Sequence, residues 1–199
     1  LPRIKAATLA EHRANQRRAV LDAAREILVE VGGEALSLSG VAARVGLARS
    51  SLYQYFDSRQ DLLDALVADL FPRWSQMVTE AMEAERTPAR RVLSYANANL
   101  RLVADGEHVV AGALAAASPG MDFAERSRVM HEQIMAPLTG ALRQLGVPDP
   151  EATAELVNAV VHKASRMIES GVAEREVRTR VEELLTPFLV GYEKGSAST

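Results

Sequence analysis

The chain has 199 residues, 48% of them apolar, no cysteine and a net charge of −3. That much apolar material excludes a disordered chain, the missing thiols exclude a disulfide framework or a thiolate metal site, and the lack of any run of 18 apolar residues excludes a membrane-spanning helix. The length suffices for one full core or two small ones, and with no leader-like segment visible a cytoplasmic protein is expected.

In chain order, residues 1–14 are polar and basic, lack an apolar stripe and read as a mobile arm, either separate from the next helix or joined to it. Val20, Ala23, Ala24, Ile27, Leu28 and Val31 then follow the i, i+3, i+4, i+7 template of an amphipathic helix, stopped by Gly32-Gly33. From Ser37 to Phe56 the pattern is a short helix, a tight turn and a second helix. Ser37 is placed to cap the first, and Val41, Ala42 and Val45 share one face of it. Gly46 supplies the left-handed residue that ends it. Leu52 and Phe56, four apart, give the second helix its buried stripe. Its other face carries Arg49, Ser50, Ser51, Tyr53, Gln54 and Tyr55, hydrogen-bonding types suited to phosphates and base edges in a major groove.

Asp57-Ser58 can cap a fourth helix that starts near Arg59 and runs through Leu62, Leu63, Leu66, Val67 and Leu70. Pro72 then kinks that helix or starts a new one, two alternatives the sequence leaves open. Thr87-Pro88 opens the next helix, which ends at Asp105-Gly106. A small-residue helix follows from Glu107 to Ala117, broken by Ser118-Pro-Gly120. Three long amphipathic helices complete the chain, at about 122–145, 151–170 and 173–193, with Pro187 expected to bend the last. Residues 195–199 read as a frayed tail. No strand pattern and no repeat occurs, so the class is all-α.

Val41-Ala42, Val45-Gly46-Leu47, Leu52 to Phe56 and Leu62-Leu63 stand together in one further pattern. Over residues 15–70 the chain resembles the TetR/AcrR family of bacterial transcriptional repressors. It departs at Ala48, where a capping Ser is usual, at Gly40, where an acidic residue often completes a capping box, and at Arg59, which replaces a common Lys. The resemblance implies about nine helices. An N-terminal three-helix helix-turn-helix domain (1–58) would read DNA, and a C-terminal helical bundle (59–199) would bind ligand and dimerise through two helices. The charge distribution agrees: residues 1–56 hold eight basic and five acidic residues, net +3, and the remainder 15 basic and 21 acidic, net −6.

For DNA, the candidate contacts are Arg17, Arg18, Ser37, Ser39, Arg44 and Arg59 as phosphate clamps, with the residues of the second short helix. Gln54 and Arg49 are placed to read base edges. The plain alternative for Tyr53 and Tyr55 is that one of them packs in the core. For an effector, Trp74, Met77, Tyr95, Asn99, His108, Phe123, Met130, His131 and Met135 offer apolar, polarizable and orienting groups. The same residues also suit an ordinary helical core. For the dimer, Val157, Val161, Ala164 and Ile168 with Val181, Leu185, Phe188 and Leu189 exceed what one narrow core-facing stripe requires.

His12, His108, His131 and His162 lie in four segments, none paired at metal-ligand spacing, so neither metal nor cofactor is expected. No nucleophile elbow, phosphate loop or dinucleotide glycine fingerprint occurs, so no enzyme is expected. The function expected is a homodimeric regulator that releases a near-palindromic operator when a small, mainly hydrophobic effector binds. The rivals are an effector-free or protein-regulated DNA-binding module and a helical enzyme.

Overall fold

A computed structural model of the chain describes residues 6–32, 35–117 and 121–196. Among these residues run nine helices and no strand: α1 (Ala6–Val31), α2 (Leu38–Arg44), α3 (Arg49–Leu52), α4 (Arg59–Glu83), α5 (Pro88–Ala104), α6 (Glu107–Ala117), α7 (Met121–Gln144), α8 (Pro150–Glu169) and α9 (Glu174–Ser196). The fold class and helix number are those read from the sequence. Residues 1–5, Gly33 of the double-glycine stop, the Ser118–Gly120 break and tail residues 197–199 lie outside the described residues.

The chain divides into two compact units, Leu1–Leu70 with Val109–Phe123, and Phe71–His108 with Ala124–Thr199. In the first, α2 contacts both α1 and α3. Its core is Val20, Ala24 and Leu28 of α1, Val41, Leu52, Phe56, and Leu62, Leu63 and Leu66 of α4, all nearly or wholly buried. Buried Arg25 of α1 donates from Nη2 to Asp69 Oδ2 at 2.6 Å. In the second unit α5 lies against α8 and α9, which also touch one another. Val92, Tyr95, Ala96 and Leu100 of α5 are fully buried there.

Local chemistry explains several helix ends. Ser37 accepts the Gly40 N–H at 3.1 Å, Thr87 the Arg90 N–H at 3.3 Å and Asp149 the Ala152 N–H at 3.0 Å, three side-chain N-caps. Ser58 accepts the Asp61 N–H at 3.0 Å, and Asp61 accepts the Asp57 N–H at 3.0 Å, a reciprocal cap on α4. At the end of α2, Gly46 has φ +70°, and the Leu47 N–H reaches the Ala42 carbonyl at 2.9 Å while the Gly46 N–H reaches Ala43 at 3.3 Å. That paired closure needs a left-handed residue, which glycine adopts without steric cost.

Three features refine the sequence reading. Of the two readings of the amino-terminal arm the structure has the joined one: the segment is helical from Ala6 onward, as part of α1. The segment is dominated by Ala, Leu, Glu, Arg and Gln, strong helix formers that need no apolar stripe to extend a helix already nucleated downstream. Conversely, the second short helix closes after only four residues, and residues 53–55 continue in turns. Finally, of the two alternatives at Pro72 the structure rules out a new helix, since α4 runs through it to Glu83. Pro72 and Ala68, whose carbonyl the proline cannot satisfy, are both exposed, so water can take that carbonyl.

Candidate functional site

The first unit presents the α2–turn–α3 segment. Leu52 and Phe56 are buried and fix its inner side, while Arg49, Ser50, Tyr53 and Gln54 are exposed and Ser51 and Tyr55 half-buried. Arg49 Nη2 lies 3.4 Å from the Tyr53 hydroxyl, one turn away on the same face. Unlike α2, α3 has no side-chain cap: Ala48 occupies the N-cap with φ −63° and ψ 142°. Four exposed donors and acceptors therefore stand on a backbone held by two buried side chains, an arrangement that can meet phosphates and base edges.

Around this face the remaining candidates take distinct positions. Ser39 is exposed, and its hydroxyl lies 3.4 Å from that of Ser37, the cap of α2. Arg44 is clamped by α1: its guanidinium meets both Glu30 oxygens, at 3.0 and 2.6 Å, and Glu26 at 3.2 Å. The hydrogen bonds to Glu30 hold its pKa above the ordinary arginine value, and the bond from Arg44 holds the Glu30 carboxyl below its own. A phosphate at Arg44 would have to compete with two carboxylates. Arg59, half-buried, donates from Nε to the Leu36 carbonyl at 2.9 Å and so joins the start of α4 to the approach of α2. Arg17 lies over the Phe56 ring, 5.3 Å from its centroid, and Arg18 is exposed on α1. Arg13 was absent from the sequence reading. Its Nη2 donates to the Gln54 carbonyl at 3.3 Å. The Glu26/Glu30 clamp had a sequence signal, since acids four apart share a helix face.

In the second unit several effector candidates form one connected ladder. The buried Tyr95 hydroxyl donates to Asn158 Oδ1 at 2.8 Å and lies 3.8 Å from Met135 Sδ. Asn99 Nδ2 donates to the Tyr95 carbonyl at 2.8 Å, and Asn99 Oδ1 accepts from Trp74 Nε1 at 2.9 Å. The Trp74 ring stacks on His108, centroids 5.1 Å apart, and His108 Nδ1 lies 2.7 Å from Glu169 Oε1. Burial first, and then the Glu155 charge, push the Tyr95 phenol well above its ordinary value, so it stays a neutral donor. Asn158 and Glu169 were not singled out from sequence, because nothing in spacing relates α8 to α5 or α6. Met130 is buried, Met77 and His131 are exposed, and Phe123 belongs to the first unit.

Two open grooves also occur in this unit, and neither holds an effector candidate. One, of about 410 Å³, is lined by Ser75, Gln76, Thr79, Glu80 and Glu83 of α4 with Gln133 of α7. The other, of about 480 Å³, runs along α8 and α9 between Leu156, Ala159, Val160, Lys163, Arg180 and Leu184. Of the dimer candidates, Val157, Val161, Ala164, Val181, Leu185 and Leu189 are buried within the single chain, Ile168 is half-buried and Phe188 is exposed. The large apolar side chains these helices leave open are Leu156 (69% exposed), Leu184 (59%) and Phe188 (37%). Among the described residues no three His, Asp or Glu side chains stand where they could share a metal ion, and no helix is long and apolar enough to cross a membrane.

Residues 20–66 match the model of a family described as bacterial regulatory proteins, tetR family. An uncharacterized helix-turn-helix-type transcriptional regulator of Mycobacterium tuberculosis is 28% identical over 172 residues, spanning 85% of this chain and 83% of its own. Among solved structures, a transcriptional regulator of Saccharomonospora viridis in complex with choline superposes with a TM-score of 0.73 at 13% identity, over 87% of this chain and 96% of that one. The regulator FadR of Bacillus subtilis, in complex with stearoyl-CoA, does so with a TM-score of 0.62 at 18% identity, over 84% and 96%.

Proposed function

The chain is a TetR-family transcriptional regulator, and on that premise we propose that two copies bind a near-palindromic operator and release it when a small, mainly hydrophobic effector binds the carboxy-terminal part. In this reading residues 1–58 read DNA and residues 59–199 bind effector and dimerise, in the compartment that holds the DNA and without a catalytic step. The observation that carries it is the exposed set Arg49, Ser50, Tyr53 and Gln54 on a segment anchored by buried Leu52 and Phe56. Arg49 and Gln54 are the base readers; Arg17, Arg18, Ser39, Ser50 and Tyr53 serve phosphates.

The homodimer forms through α8 and α9, because Leu156, Leu184 and Phe188 leave an apolar strip that a monomer would leave wet. A two-fold pair presents two recognition segments, and specific binding requires them to match successive major grooves about 34–36 Å apart. An effector that prefers another spacing shifts the population away from DNA by its difference in affinity for the two states.

The test is site selection from a randomised duplex library with the purified chain. A two-fold symmetric motif is expected, with affinity that falls steeply as salt rises. No enrichment, or a single asymmetric half-site, would defeat the reading. A second reading, a DNA-binding protein without a small-molecule effector, is favoured by the closed ladder from Asn158 to Glu169, whose polar groups already satisfy one another. A thermal-shift screen of apolar compounds followed by DNA release separates the two, since a binder raises the melting temperature once its concentration exceeds its dissociation constant.

A further inference from the structure

The four-residue α3 leaves the reading segment without a helical ladder of its own. Beyond Leu52 the chain is held by short-range bonds, the Gln54 N–H to the Ser51 carbonyl at 3.2 Å and the Tyr55 and Phe56 N–H groups to the Leu52 carbonyl at 2.9 and 3.1 Å, none of which uses the Gln54 carbonyl. Carbonyls at the end of so short a helix find no acceptor role within it. The Gln54 carbonyl is instead met by Arg13 Nη2 at 3.3 Å. One turn further along α1, Arg17 covers the Phe56 ring at 5.3 Å. Residues four apart share a helix face, so one face of α1 holds both residue 54 and residue 56. That stretch of α1 is not there to complete a core: from Ala10 to Ala19 every residue is exposed except half-buried Gln16.

We propose that the amino-terminal half of α1 is a splint for the reading turn, and that Arg13 is a positioning residue that sets where Gln54 presents its side chain. The proposal rests on Gln54 being a base reader. A backbone fixed at its carbonyl leaves the side chain fewer placements, so the bound geometry is reached with less ordering on contact. Arg13 is exposed, and water can replace it at the carbonyl. Its removal therefore costs discrimination between sequences and leaves the fold intact.

The experiment starts from the duplex that the wild-type chain selects from a randomised library. Affinity is measured for that duplex, for duplexes changed one base pair at a time, and over a range of salt, with wild type, Arg13→Ala, Arg13→Lys and Gln54→Ala. Gln54→Ala identifies the base pair that Gln54 reads. At that base pair Arg13→Ala should reduce discrimination by about two- to tenfold, the worth of one ordinary hydrogen bond. Its melting temperature and salt slope should match wild type. Arg13→Lys should recover part of the loss, because an ammonium can donate to the same carbonyl. A uniform loss on all duplexes, with the salt slope reduced by about one, would make Arg13 a phosphate clamp and overturn the proposal. Unchanged discrimination in Arg13→Ala, with Gln54→Ala still altering preference, would also overturn it while leaving Gln54 as the reader. If Gln54→Ala leaves preference untouched, the reader assignment fails and the splint falls with it.

Discussion

Around the reading turn, position is set by single polar tethers: the Ser37 cap on α2, Arg59 on the Leu36 carbonyl, Arg44 between Glu26 and Glu30, and Arg13 on the Gln54 carbonyl. In the carboxy-terminal unit the corresponding task falls to long helices whose apolar faces meet, with Val92, Ala96 and Leu100 of α5 shut away completely. Two short helices bury too little to define their own geometry, so side chains from α1 and α4 supply it. Helices of 17 to 23 residues bury enough to need no such help, and α5, α8 and α9 achieve this with few polar links among them. A reading surface must also keep its polar groups outside, which leaves only its inner side for apolar anchoring.

The largest effect should come from the apolar strip that α8 and α9 leave open. Leu184→Asp puts a charge on the strip of Leu156, Leu184 and Phe188 without touching the chain's own core. Sedimentation should show monomers. Affinity for a duplex with two half-sites should fall about 10²–10⁴-fold, the loss of an intramolecular second contact, with single half-site binding retained. A Leu184→Asp chain that stays dimeric would place the interface elsewhere.

Next come two substitutions that set core against tether. Leu100→Ala, at a fully buried site of α5, should cost about 2–5 kcal/mol, as transfer and cavity terms add. Trp74, the single tryptophan, reports that unit by fluorescence in urea. Ser37→Ala removes one cap and should cost about 1 kcal/mol, read in DNA binding and helix content rather than in the Trp74 transition. The uncapped start of α3 offers the reverse change: Ala48→Ser should stabilise by up to about 1 kcal/mol. If Ser37→Ala costs as much as Leu100→Ala, the contrast between the two units collapses.

How far the sequence could be read follows the same division. Where burial decides, periodicity carries the information: Val20, Ala23, Ala24, Ile27 and Leu28 of α1 fall on buried positions, although Val31 at the end of the same stripe is 61% exposed, and Gly46 ends α2 with the positive φ of a left-handed stop. Where tethers decide, it carries little. The docking of Arg13 depends on a pairing 41 residues apart that no local pattern announces. For Arg44, expected on phosphate, the sequence shows two acids four apart on α1 but not that they meet it, since they lie 14 and 18 positions away. On α8 and α9 periodicity gave the apolar positions without sorting core from outer strip, since helices apolar on more than one side satisfy both descriptions.

The smallest expected effect tests whether a histidine outside the ladder also contributes to the carboxy-terminal unit. His131, on α7, counts among the exposed residues, yet its imidazole is enclosed enough for desolvation to hold its pKa below the ordinary value, with the charges of His108 and His162 adding to this. The unfolded chain then takes up a proton before the folded one does. Stability from the neutral ring is complete above the ordinary imidazole value of about 6.5 and is lost as pH falls through the folded-state value. Because the residue is exposed, solvent screens much of this. Melting temperatures of wild type and His131→Gln, taken from pH 8 to pH 5, should converge or cross on the acid side, with wild type losing more. Carboxylates titrate in both chains and cancel in the difference. Parallel curves would mean that His131 titrates alike in the folded and unfolded chain and contributes nothing to the pH dependence of this unit.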